Sequence, residues 1–163
     1  MPFKRHITIV LLLSLTFLTA FSNQVPIMVK DVEVNVMKTA GILRYDIVLK
    51  KTKELKFDNS DDRDSPGHHL FHHGNGLNFA IRPNHSLASL MELEQRTKYI
   101  KMQLRGGGNS GSIETEGQAT VHLEYAVKKG VDVEKVRKSA LDSTLLVLRG
   151  NKVIAELPLN KNT

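Results

Sequence analysis

Four of the chain's seven histidines fall within six positions: His68, His69, His72 and His73, in the run P-G-H-H-L-F-H-H-G-N-G from Pro66 to Gly76. Neutral imidazole nitrogens are borderline ligands suited to zinc, copper or nickel. On a helix, His68 with His72 and His69 with His73 would lie one turn apart and could share an ion, leaving Leu70 and Phe71 to anchor the opposite face. In an extended chain His68 and His72 share one face with Leu70 between them, and fewer ligands come together. The flanking glycines argue against a long helix. Asp62 and Asp64, with Asp61 beside them, could complete a mixed ligand set or orient a ligating ring from behind. Two plainer uses compete with a metal centre. Short histidine-rich tracts chelate metal by composition alone, and a solvent-facing loop docked through Leu70 and Phe71 would leave the imidazoles wet. Below their ordinary pKa near 6.5, such rings would also add up to about four positive charges, a means of sensing acid.

Other constellations fail in detail. Asp58, Ser60, Asp62 and Asp64 alternate as calcium ligands do, but Arg63 stands where the loop needs glycine and His69 where it needs a bidentate glutamate. Arg105-Gly106-Gly107-Gly108 could cradle an anion. No following Lys-Ser or Lys-Thr supports a phosphate loop, and the run from Arg105 to Ser112 reads as a glycine-rich turn. Gly108, Ser110 and Ser112 miss the nucleophile-elbow spacing, since Ser112 occupies the place of its second glycine. An enzyme would need His122 or His85 joined to a carboxylate and a hydroxyl by the fold, and no local motif does this. The sequence therefore points to a non-enzymatic protein.

Composition bounds the setting. The first six residues carry Lys4 and Arg5 and precede an apolar run from Ile7 to Phe21, the layout of a secretory signal peptide. Ala20-Phe21-Ser22 offers small residues where a signal peptidase reads, so cleavage is expected before Asn23. That apolar run is shorter than the roughly 20 residues that span a bilayer. An uncleaved anchor would have to borrow Val25, Ile27, Met28 and Val29 across Asn23, Gln24 and Pro26. After cleavage no stable membrane span is expected. Removing residues 1–22 from 163 leaves 141, one domain by size. It also takes the formal charge from +6 to +4, enough for loose attraction to anionic envelope polymers. No dense basic block with an aromatic ladder argues for nucleic acid. The absence of cysteine excludes thiol redox chemistry and leaves burial to stabilise the domain, and it tilts the source toward bacteria.

The elements that must position any site are mostly strands. Val32, Val34 and Val36 alternate with Asp31, Glu33 and Asn35; Leu43, Tyr45, Ile47 and Leu49 alternate with Arg44, Asp46 and Lys50. Period two with β-branched residues marks half-buried strands. Further strands are expected at Leu77–Ile81, Tyr99–Leu104, Gln118–Val127, Leu145–Leu148 and Val153–Leu157, the last two joined by a tight turn at Gly150-Asn151. Short helices are expected from Leu87 to Glu94, capped by Asn84 or Ser86, and from Asp132 to near Asp142, with Val133, Val136 and Ala140 on one face. Long connections fall at Lys51 to Gly76, Arg105 to Gly117 and Gly130 to Asp142. Asn84-His85-Ser86 fits the glycosylation pattern, which matters in a eukaryotic host.

Seven amphipathic strands separated by turn signals describe a mainly β, antiparallel two-sheet sandwich. Its general plan resembles immunoglobulin-like and fibronectin-III-like modules, without their tryptophan and cysteine hallmarks. The expected role is a binding or accessory protein, secreted or held at the cell surface, with a protein or envelope polymer as partner. A metal-binding protein using the histidine run is one alternative. A protease-inhibitor-like module is another, although the loop patterns of chagasin-type inhibitors are missing. Nothing in the pattern fixes an oligomeric state.

Overall fold

A computed structural model describes residues 26–54, 77–95, 101–113, 115–149 and 152–160. The expected leader and its cleavage point lie outside the described residues, as do His68, His69, His72, His73, Asp62 and Asp64. The chain is mainly β, with strands β1 (Ile27–Met37), β2 (Ile42–Lys51), β3 (Leu77–Arg82), β4 (Leu104–Ser112), β5 (Gln118–Ala126), β6 (Thr144–Arg149) and β7 (Lys152–Pro158). Two short helices, α1 (His85–Leu90) and α2 (Val133–Ala140), follow β3 and β5. The strands form two antiparallel sheets, one ordered β1-β2-β5-β4 and one ordered β3-β6-β7.

The alternation in β2 sets the geometry. Leu43, Tyr45, Ile47 and Leu49 are all fully buried, so Arg44, Asp46, Val48 and Lys50 must face the other way. In β5 the inward set is Ala119, Val121, Leu123 and Tyr125. One buried cluster gathers these with Leu77, Phe79 and Ile81 of β3, Leu145 and Val147 of β6, Ala155 and Leu157 of β7, and Val136 and Ala140 of α2. Gly41, at φ +63, lets the chain turn between β1 and β2 in the left-handed region that glycine tolerates.

Two buried tyrosines tie the elements together. Tyr45 Oη donates to the Ala140 carbonyl at 3.1 Å, and Tyr125 Oη accepts from the Ile81 backbone N–H at 3.0 Å. Their rings meet edge to face with centroids 6.2 Å apart. Thus a strand of one sheet supplies the hydrogen-bond acceptor for an edge strand of the other, a polar tip on an apolar body used where both are needed. Burial pushes both phenol pKa values up.

The main correction concerns Arg105 to Ser112. Read as a loop, it is strand β4, paired to β5 with Gly106 opposite Glu124, Gly108 opposite His122 and Ser110 opposite Thr120. Glycine weakens a strand through backbone entropy and carries no side-chain pattern. Here the ladder to a strongly patterned neighbour overrides that propensity. An extended ladder is also incompatible with the anion-binding nest considered for Arg105 to Gly108. Gly111, at φ +76, bends the strand toward its end, and a Cβ there would stand 2.9 Å from the Gln118 carbonyl oxygen. Of the strand expected from Tyr99 to Leu104, residues 99 and 100 lie outside the described residues; β4 begins at Leu104, and Met102 forms an isolated bridge to Leu93.

Helix α1 stops earlier than its periodicity suggests, because Met91 turns extended and both Met91 and Leu93 form β-bridges, to Val127 and Met102. Asn84 caps it: Oδ1 accepts from the Leu87 N–H at 2.7 Å, while Nδ2 donates to the Ser139 carbonyl at 3.1 Å. The side-chain amide of the Asn84-His85-Ser86 sequon is therefore committed within the fold. Asn84→Ala is expected to cost about 1 kcal/mol, read by chemical denaturation. Helix α2 begins as expected, with Asp132 Oδ1 accepting from the Glu134 N–H at 3.0 Å, and ends at Ala140.

Candidate functional site

Because the inward residues of β1, β2 and β5 are fixed by burial, their outward residues fall into rows across the sheet. Glu33, Asp46, His122 and Gly108 form one row; Asn35, Arg44, Glu124 and Gly106 form the next. The result is a charged cluster at the middle of the outer face, on the two central strands.

Asp46 is its centre. The Arg44 guanidinium grips the carboxylate through Nε at 2.9 Å and Nη2 at 2.9 Å. His122 Nδ1 bonds the same Oδ1 that Arg44 Nη2 reaches. A carboxylate only accepts, so Nδ1 carries the proton in this contact. The approach of Arg44 Nη2 to the same Nδ1, at 3.4 Å, is then proximity between two donors. Arg44 Nη1 also lies 3.6 Å from Glu124 Oε1. Asp46 is about three-quarters withdrawn from solvent, at 23% side-chain exposure, while His122 keeps 34%. Lys30 Nζ donates to Gln118 Oε1 at 3.1 Å, spanning β1 to β5 over the same face.

Burial pushes the Asp46 pKa up, but hydrogen bonds from Arg44 and His122 and the Arg44 charge outweigh it and hold the carboxyl below the usual aspartate range. The sign of the linkage follows. A lowered folded pKa means that the contribution of Asp46 is complete above its unfolded value near ~4 and is lost as pH falls through the folded value. Asp46→Asn is expected to lower stability at pH 7 by no more than about 1 kcal/mol after solvent screening, and the gap to wild type should narrow as pH falls below the usual aspartate range. Urea unfolding of both proteins across pH 2.5 to 7 measures this.

An imidazole whose Nδ1 is committed to a carboxylate is an oriented base, and acyl transfer would require a hydroxyl beside it. Among the described residues no hydroxyl bonds to Asp46 or His122. Nor, among the described residues, do three histidine, cysteine or acidic side chains gather as metal ligands do. What the arrangement does is present fixed charge and hydrogen-bonding groups on a rigid sheet.

The cluster was half visible in the sequence, where Arg44 and Asp46 belong to one outward series and His122 and Glu124 to another. Their meeting depends on β2 pairing with β5, which no local signal announces. Among the described residues no helix is long and apolar enough to cross a membrane. No family model matches the chain, and neither the curated proteins nor the solved structures contain a match to it.

Proposed function

We propose that the chain is an exported, non-enzymatic binding protein that works at the cell surface or outside the cell, with a protein or an envelope polymer as its partner. In this reading the two antiparallel sheets face each other as a sandwich of the immunoglobulin-like or fibronectin-III-like kind. The single buried cluster drawn from both sheets supports that arrangement. The observation that carries the binding role is the outer face of the four-stranded sheet, where Arg44, Asp46, His122 and Glu124 are held by one another on central strands. Recognition groups already ordered on rigid elements lose little freedom on binding. Export rests on the charged and then apolar N-terminus, and the charge of +4 expected after cleavage suits anionic envelope polymers.

Pull-down with residues 23–163 against cell-wall fractions and whole secretome tests the reading. Retention of a defined partner is expected, weakened by Arg44→Ala together with Asp46→Ala. A protein that stays free in every fraction overturns it. The second reading, metal binding, rests on the density of His68, His69, His72 and His73, with Asp62 and Asp64 as helpers. Calorimetry with zinc, copper and nickel decides it: affinity no tighter than that of an unfolded histidine-rich peptide would sink it.

A further inference from the structure

Four strands lie at sheet edges: β1 and β4 in one sheet, β3 and β7 in the other. An edge offers a row of backbone N–H and C=O groups to any extended chain, and proteins blunt such edges with charges, prolines, bulges or a covering contact. Three of these edges are blunted. β1 carries Lys30, Asp31 and Glu33 and a register break between Val29 and Asp31. β3 gives its Ile81 N–H to Tyr125 Oη. β7 bears Glu156, ion-paired to Arg82 at 2.7 Å, and ends in Pro158, which has no N–H.

β4 is different. A register break between Leu104 and Gly106 and the left-handed Gly111 distort its two ends, yet residues 106–110 between them run regularly, without proline or charge. Among the described residues this stretch pairs on one side only, with β5. Glu124 leans toward it. While Oε1 faces Arg44, Oε2 stands 2.8 Å from where a Cβ on Gly106 would be, so the glycine lets the carboxylate lie over the edge strand. Above Gly108, beside His122, a Cβ would meet nothing within 4 Å. Beside this opening Glu124 keeps Oε1 3.6 Å from Arg44 Nη1 and turns Oε2 toward the edge strand; Lys30 Nζ reaches Gln118 farther along the same face, and Arg105 stands exposed at the bulged start of the strand.

We infer that β4 accepts an extended segment of a partner protein as an additional strand, and that the segment carries lysine or arginine at the position facing Gly106. Backbone hydrogen bonds along residues 106–110 supply the attachment, and the Glu124 carboxylate selects the cation. An added strand lies about 4.8 Å from β4. With no side chain on Gly106 or Gly108 in the way, a long basic side chain reaches Oε2 directly. A second copy of the chain fits less well, since its own β4 brings no cation within the regular stretch. The inference rests on the binding-protein reading and specifies the form of the partner.

The probe is a blocked peptide of about seven residues alternating lysine with threonine, added to residues 23–163 and followed by backbone amide NMR. Shifts are expected at residues 106–110, with binding weakened about tenfold by Glu124→Gln and by glutamate in place of the peptide's lysines. Glu124 is on the outer face, and a thermal melt verifies that Glu124→Gln folds. Unmoved amides at 106–110, equal binding by the charge-reversed peptide, or a dimer joined through β4 in sedimentation each overturn the inference. So do outward β4 amides that already exchange slowly in the free chain. Partner retention in the pull-down alongside an inert β4 leaves the binding reading standing and removes this one. Peptide binding without any retained partner shows β4 to be a strand-accepting edge but overturns the binding reading, and with it the partner protein inferred here.

Discussion

Replacing Tyr125 with phenylalanine is expected to lower stability by about 1–3 kcal/mol, the cost of leaving a buried donor without its acceptor. The donor is the Ile81 N–H on the open side of edge strand β3, and the phenolic oxygen stands in for the missing neighbouring strand. Tyr45→Phe should cost less, although Tyr45 is as well buried. Its partner is the Ala140 carbonyl, which also accepts from the Ser143 N–H at 3.3 Å and so keeps one hydrogen bond. Parallel urea titrations of the two variants read the difference. There is an alkaline signature too. Burial raises both phenol pKa values, so above about pH 10 the unfolded chain ionises first and stability falls as pH rises. Phenylalanine at position 125 should flatten that fall.

A larger loss, about 2–5 kcal/mol, is expected for Leu145→Ala. Leu145 is fully buried on β6, the central strand of the three-stranded sheet, and it joins the cluster shared with β2 and β5. Truncation removes the transfer energy of the side chain and leaves a cavity that flanking strands β3 and β7, hydrogen-bonded on either side, cannot readily collapse. For a chain of this size each kcal/mol corresponds to roughly 2–4 °C in Tm, so the melting temperature should fall by about 4–20 °C. By contrast Leu146, whose side chain points to the other face and is only half-buried, should tolerate alanine with a much smaller change.

Much of the fold was legible because it is written locally. β2 and β5 alternate without interruption, and Asp132 stands where a cap must stand before Val136 and Ala140. β4 was not legible, because a glycine run has no face to pattern; its extended form comes from β5, with which it shares a ladder. The end of α1 was misplaced for a related reason. Leu90, Met91 and Glu94 keep helical spacing, but bridges to Val127 and Met102 draw the chain into extended form. The charged cluster shows the same limit at the level of the site. Asp46 and His122 are each outward in their own strand, yet they lie 76 positions apart and meet only because the sheet places β5 beside β2. The histidine run, the most conspicuous chemistry in the sequence, falls outside the described residues.

We propose that this protein binds its partner through the outer face of the four-stranded sheet. Amide and side-chain NMR of residues 23–163, titrated with the partner retained in the pull-down, tests it most directly. Shifts centred on Arg44, Asp46, His122, Glu124 and residues 106–110 are the predicted result. Shifts confined to β6 and β7, with these residues unmoved at saturation, would contradict it.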